Sequence, residues 1–138
     1  MFGQVEESIP NIGIAVVLQD YHVLIGIRAE DMPLAGYHEF PGGKCQPDEN
    51  SQKCAERECL EETGLKVIAS ERLLDTVHKY DHGTVHLHFW LCEIDSSCEK
   101  HTPSNNFRWC NVSELGDLNF PQGNEELLQI LRTRFTVS

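Results

Sequence analysis

From Ile12 to Leu18 apolar residues run almost without a break, the polar stretch "QDYH" follows, and "VLIGIR" resumes the same β-rich character. Two apolar runs joined by a few polar residues predict a hairpin. A Pro/Gly-punctuated loop, "AEDMPLAG", then leads to the aromatic segment "YHEF", which is expected to stop at Pro41-Gly42-Gly43. Residues 51–63 contain neither Gly nor Pro and are followed by Gly64. With Asn50 as N-cap and Gly64 just past the end, this stretch predicts a helix. "KVIASERLLDTVHKY" has no clean period, but it lies between that helix stop and the turn signal "DHG", so it reads as mostly strand. In "TVHLHFWL" the alternation is clean: Val85, Leu87, Phe89 and Leu91 face one way, Thr84, His86, His88 and Trp90 the other. A loop rich in Ser, His, Pro and Asn (95–106) precedes the strand "FRWCNV", a short helical turn with Ser113 as its expected cap, and a last helix near 124–135. The order strands, helix, strands, helix predicts an α/β chain, a mixed sheet with helices on its two faces.

Composition narrows the function classes. A length of 138 residues suits one domain, residues 1–138, with a core that needs no staples. No window approaches the ~18 uninterrupted apolar residues of a membrane span. The start, "MFGQVEESIPN", lacks the basic and apolar parts of a secretory signal, so a cytoplasmic protein is expected. A net charge of −11 argues against a nucleic-acid polymer or an anionic membrane as partner, because both need a basic surface. An anionic ligand therefore requires a mediating cation. The six cysteines form no C-x-x-C pair and are expected to be reduced, mostly as small core fillers. His86 and His88, with His82 nearby, have a spacing that can bind zinc, but no third and fourth ligand is evident, and packing on a sheet face is the favoured reading.

The candidate chemistry lies in "GGKCQPDENSQKCAERECLEETGL", residues 42–65. On an α-helix Glu58, Glu61 and Glu62 fall within an arc of ~100°, so their carboxylates converge. Such pairs repel by a few tenths of a kcal/mol each, and two of the acids sit in the last turn, at the negative end of the helix dipole. Arg57 can hold one neighbouring carboxylate by bidentate hydrogen bonding. Hard oxygen ligands on a rigid helix suit Mg²⁺, with Mn²⁺ as the alternative, since both ions also bind phosphate oxygens. A cation resolves the repulsion.

Gly43, five residues, Glu49, seven residues, then Arg57-Glu58-Cys59-Leu60-Glu61-Glu62-Thr63-Gly64-Leu65 resembles the Nudix hydrolase box at every fixed polar and glycine position. Cys59, at a usually aliphatic position, is the one mild departure. The resemblance implies an α/β/α sandwich around a mixed sheet and hydrolysis of a nucleoside diphosphate linked to another group. It implies that Glu58, Glu61 and Glu62, with the Gly42 carbonyl, hold Mg²⁺, that Glu49 and Arg57 form a supporting pair, and that Glu58 is the first candidate for general base.

Flanking residues resemble the MutT-type subfamily, which hydrolyses oxidised purine nucleoside triphosphates. "EFPGGK" (Glu39–Lys44) matches its entry to the box, Arg28 lies twelve residues before Phe40, and "FPQGNEELL" (Phe120–Leu128) resembles its C-terminal segment. This implies substrate contacts from Arg28, Phe40, Lys44 and Asn124, and 8-oxo-dGTP as substrate. Asn124 equally suits a helix N-cap, and Arg28 the surface end of a strand. The match departs at Pro103, where a loop glutamate is expected, and at Gly83, where an arginine is expected. Competing readings are a Nudix hydrolase of CTP, another triphosphate or a nucleotide sugar such as ADP-ribose, and a nucleotide-binding regulatory domain without catalysis. The intact box acids speak against the last. A monomer or weak homodimer is expected.

Overall fold

The first hairpin turns on two residues in the left-handed region, Asp20 (φ 49°) and Tyr21 (φ 62°). Positive φ at both central positions is the signature of a type I′ turn, whose twist matches that of paired strands. It joins β1 (Asn11–Gln19) to β2 (His22–Ile27). The computed structural model describes residues 9–81, 83–99 and 101–136. The first eight residues and His82, in the predicted "DHG" turn, lie outside the described residues.

The elements that follow are β3 (His38–Glu39), β4 (Gly42–Lys44), α1 (Ser51–Thr63), β5 (Val67–Tyr80), β6 (Gly83–Ile94), β7 (Arg108–Asn111) and α2 (Glu125–Arg134). Along the sheet the order is β3-β2-β1-β6-β5, with β4 also paired to β1 and β7 to β2. The β1/β6 pair is parallel and the others antiparallel, so the sheet is mixed, as the element order predicts. Alternate residues of β1 enter two cores: Ile14 and Val16 pack with Phe89, Leu127 and Leu131 on the α2 face, Ala15 and Val17 with Ala55, Cys59 and Leu65 on the α1 face. A central strand covered on both sides has no polar face, which explains its unbroken apolar run. Among the described residues no helix is long and apolar enough to cross a membrane.

Helix α1 begins and ends as read. The Asn50 side chain accepts from the Lys53 amide at 2.8 Å, and Gly64 (φ 79°) donates its own amide to Leu60 O at 2.9 Å. Two expectations need correction. Gly42–Lys44 is not a loop but a strand, paired antiparallel with Ile12–Ile14. Its glycines lower strand propensity, yet they let α1 approach: a Cβ on Gly43 would meet the Glu58 carboxyl carbon at 2.6 Å. The 3-10 turn Val112–Asp117 is capped by Asn111, whose Oδ1 accepts from both the Ser113 amide and the Ser113 hydroxyl, each at 2.9 Å, so Ser113 is not the cap. The last helix lies where predicted, Glu125–Arg134, and the 3-10 turn Gln122–Asn124 leads into it. The irregular period of β5 has a cause. Its register against β6 shifts twice, between Ala69 and Glu71 and between Arg72 and Leu74.

Candidate active site

The acidic face of α1 lies against β4. Gly42 donates its amide to Glu62 Oε2 at 3.1 Å, and Glu58 covers Gly43. Arg57 organises the cluster. Its Nε and Nη2 donate to the two oxygens of Glu49 at 2.7 and 2.8 Å, its Nη1 to Glu58 at 2.9 Å and to Glu61 at 3.1 Å, and its Nη2 to the Lys44 carbonyl at 3.2 Å. One guanidinium thus ties the helix to the turn after β4. The fork holds the Glu49 carboxyl well below the usual range, at about 2. Glu62 goes the other way: burial pushes its carboxyl up to about 8, against the opposing Gly42 amide, and the neighbouring Glu58 charge adds to the rise. Glu56, by contrast, leaves the cluster and accepts the Ala69 amide of β5 at 2.8 Å.

Beside this cluster a pocket of about 130 Å³ is lined by Ile12, Arg28, Glu39, Phe40, Tyr80 and Asn124 among others, and reaches Gly42. Three of the predicted substrate residues, Arg28, Phe40 and Asn124, therefore meet there, one residue from the acids through Gly42. Lys44 does not line it. Arg28 is committed to protein partners, donating from Nε to Pro33 O at 2.7 Å and from Nη1 to Glu39 at 3.2 Å. Phe40 is nearly buried and stacks on Phe120 with ring centroids 5.2 Å apart, so it forms a fixed wall. Asn124 is also buried, yet it makes no side-chain cap bond to α2 and its backbone is already helical. Its amide nitrogen makes one long contact to Pro121 O, at 3.4 Å. The cap reading fails on geometry.

A family model of the NUDIX domain matches residues 13–129, most of the chain and both sites just described. The chain belongs to the NUDIX family. Among curated relatives it is 28% identical over 101 residues to a CTP pyrophosphohydrolase of Escherichia coli, covering 72% of this chain and 74% of that one. It is 26% identical over 122 residues to an 8-oxo-dGTP diphosphatase of Buchnera aphidicola, covering 88% and 92%. Among solved structures, a MutT protein from Methanosarcina mazei shares the fold with a TM-score of 0.75, at 19% identity, covering 94% and 97%. The protein is a MutT-type Nudix hydrolase.

Nudix hydrolases use divalent cations, and the residues present fit one. The donors are hard oxygens, the half-buried Glu62 carboxyl has the Gly42 amide rather than a cation as its partner, and Gly43 leaves room for Glu58 that any Cβ would fill. Among the described residues no three acids already converge on one point. Glu61 is half exposed and Glu58 is held by Arg57, so binding must draw the carboxylates together. Replacing Arg57 by Lys keeps the charge but loses the fork. We expect Arg57→Lys to cost ~1–2 kcal/mol in urea unfolding, between the values for exposed and buried pairs, and about tenfold in kcat/KM through the misplaced Glu58.

Two pocket residues escaped the sequence reading. Glu39 carries a carboxyl pushed up by burial and partly restored by Arg28. Tyr80 ends β5 directly opposite Gly83 in the register, so an aromatic ring lines the pocket next to the position where the subfamily has its arginine. Both are brought in by long-range pairing. Near the helix end, residues 101–106 supply no acid; instead Asn105 donates to Glu62 O at 2.5 Å and the Ser104 amide to Thr63 O at 2.8 Å. The loop at Pro103 thus braces the C-terminus of α1. His86 and His88 take separate partners, Asp75 Oδ1 at 3.0 Å and Asn11 Oδ1 at 2.9 Å, in line with the packing reading.

Proposed function

We propose that the protein hydrolyses 8-oxo-dGTP to 8-oxo-dGMP and pyrophosphate, with Mg²⁺ as cofactor. The observation that carries the substrate is Asn124, a buried amide in the pocket that does not cap its helix. Such an amide offers a donor and an acceptor side by side. Oxidation at C8 turns the guanine N7 from acceptor to donor, so the amide oxygen can accept from N7–H while the NH₂ donates to O6. Guanine itself presents two acceptors there and leaves one contact repulsive. Phe40 and Tyr80 bound the base, and Arg28 holds Glu39 in place beside it.

At the other end of the pocket, Glu58, Glu61, Glu62 and the Gly42 carbonyl are positioned to hold Mg²⁺. When bound, the ion neutralises phosphate charge and makes an attacking water more acidic. Glu58 accepts the proton from that water, since no acid stands in residues 101–106 to do so. Glu49 and Arg57 fix Glu58 in orientation. The name of the Escherichia coli relative supports CTP as the second reading.

The test is kcat/KM with Mg²⁺ for 8-oxo-dGTP, dGTP, CTP and ADP-ribose, in wild type and Asn124→Ala. A bidentate base contact is worth ~1–3 kcal/mol of discrimination, so a preference for 8-oxo-dGTP over dGTP of roughly ten- to a hundredfold is expected, and its collapse in Asn124→Ala. Equal or better turnover of CTP or ADP-ribose by the wild type would discard the purine reading and keep the acidic-helix chemistry.

A further inference from the structure

Cys45 and Cys54 take no part in the chemistry above, and they sit on the two sides of the joint between β4 and α1. Gly43 and Cys45 are two apart on an extended chain, so they point to the same side, and Gly43 points at Glu58 of α1. Glu58 and Cys54 are four apart on the helix and share a face. Two residues of strand span ~6.6 Å and four of helix ~6 Å, so the step from Gly43 to Cys45 matches the step from Glu58 to Cys54. The contacts agree: Cys54 Sγ donates to Gly43 O at 3.3 Å, the Cys45 amide donates to Asn11 O at 2.8 Å and so continues the strand beside that carbonyl, and the Cys45 thiol, after burial, is what pushes the Cys54 thiol up.

Helix and sheet are also closest here. A Cβ on Gly13, which pairs with Gly43, would lie 2.7 Å from Cys54 Sγ and 2.8 Å from the Ala55 backbone nitrogen, so the helix main chain and the Cys54 side chain rest directly on β1. That approach is what permits a strand cysteine and a helix cysteine to come within the ~7 Å Cα separation a disulfide tolerates. Cys45 is partly exposed and Cys54 buried, an arrangement with one sulfur open to an oxidant and a second one behind it.

We propose that Cys45 and Cys54 form a reversible disulfide in response to peroxide, and that this bond weakens metal binding at the adjoining acidic cluster. The Cys45 thiolate attacks one peroxide oxygen, the O–O bond breaks, and Cys45 becomes a sulfenic acid with release of hydroxide. The Cys54 sulfur then attacks the sulfenic sulfur; the S–S bond forms, the S–O bond breaks, and the departing hydroxide leaves as water with the Cys54 proton. Two thiols lose two electrons and two protons, and one peroxide becomes two waters. A reducing dithiol reverses the step by exchange. Closing the bond takes Cys54 from the Gly43 carbonyl and draws the end of β4 onto α1. Gly42 belongs to the same three-residue strand, so its contact with Glu62 shifts as well. The effect on metal rests on the proposed function, whereas the disulfide itself does not.

The test treats the reduced full-length protein with hydrogen peroxide and digests it with trypsin under non-reducing conditions. Cleavage after Lys44, Lys53 and Arg57 puts the two cysteines in separate peptides, 45–53 and 54–57. They are expected as one joined species, two hydrogens lighter than their sum, released by dithiothreitol and absent from Cys45→Ser. Mn²⁺ affinity, read from the paramagnetic signal of the free ion, should fall about tenfold or more on oxidation and stay unchanged by peroxide in Cys45→Ser. Cysteines joined elsewhere, or Cys45 stopping at the sulfinic acid, overturn the disulfide. A joined pair with unaltered Mn²⁺ affinity overturns its effect on the metal. Failure of the reduced protein to bind Mn²⁺ at all counts against the proposed function and leaves the peptide result standing.

Discussion

Glu58→Gln is expected to leave the fold intact and to lower kcat by about three orders of magnitude. The substitution is isosteric, so the side chain still fits over Gly43 and still accepts from Arg57 through its amide oxygen. What it loses is the negative charge that faces the cation and the basicity that takes a proton from water. Charge stabilisation at a metal site amounts to several kcal/mol of the barrier, and each 1.36 kcal/mol is a factor of ten, which gives a loss of ~10³. Removing a carboxylate that repels Glu62 also relieves the cluster, so thermal stability without metal should hold or rise slightly. The check is single-turnover and steady-state kinetics on protein whose circular dichroism and Tm match wild type. If Glu58→Gln keeps kcat within tenfold while Glu61→Gln or Glu62→Gln abolishes it, Glu58 is not the base. If all three variants stay near wild type, the acidic helix is not the reaction centre.

The acidic helix was legible in the sequence because everything that defines it is local. Asn50, the Gly-free run and Gly64 fix where α1 begins and ends, and the helical period alone brings Glu58 and Glu62 to one side. That Arg57 holds a carboxylate was legible too, but its pairing with Glu49 in particular came only from the resemblance to the Nudix box. The reach of the sequence ended where distant strands meet. Gly42–Lys44 reads as a turn because glycine is a poor strand former, and only its pairing with Ile12–Ile14 makes it a strand. Tyr80 and Glu39 enter the pocket from opposite ends of the sheet order, through the β5/β6 and β2/β3 registers, and no spacing in the chain joins them. Asn124 shows both limits at once. Its position before an apolar helix suggests a cap, and only the backbone conformation there, already helical, decides against it.

Without metal, stability should fall as the pH rises from 5 to 8, and Glu62 is the reason. Its carboxyl has an ordinary value near 4.5 in the unfolded chain and about 8 in the fold. Between those values the unfolded chain has released the proton and the folded chain retains it, so the folded state binds more protons and stability declines with increasing pH. Glu39, raised in the same direction by burial, adds to the slope. The low value of Glu49 acts elsewhere: its pairing with Arg57 contributes stability that is complete above about pH 4.5 and lost only as the pH falls toward 2. A divalent cation binds the deprotonated carboxylate and therefore reverses the trend, with Tm in Mg²⁺ rising relative to Tm in EDTA as the pH increases, and with release of a proton on binding. Glu62→Gln keeps the hydrogen bond from Gly42 but has no proton to give up. In that variant the decline between pH 5 and 8 should shrink, the gain in Tm from Mg²⁺ should largely vanish, and kcat should fall ~10³ as for Glu58. The decisive quantity is the difference between the wild-type and Glu62→Gln curves of Tm against pH, measured in EDTA and again in Mg²⁺, since contributions from titrating groups that do not interact with Glu62 cancel in it, leaving Glu62 and its neighbours Glu58 and Glu39. Parallel curves in EDTA would mean that Glu62 is ionised in the metal-free fold, and an undiminished Mg²⁺ effect in the variant would remove Glu62 from the ligand set.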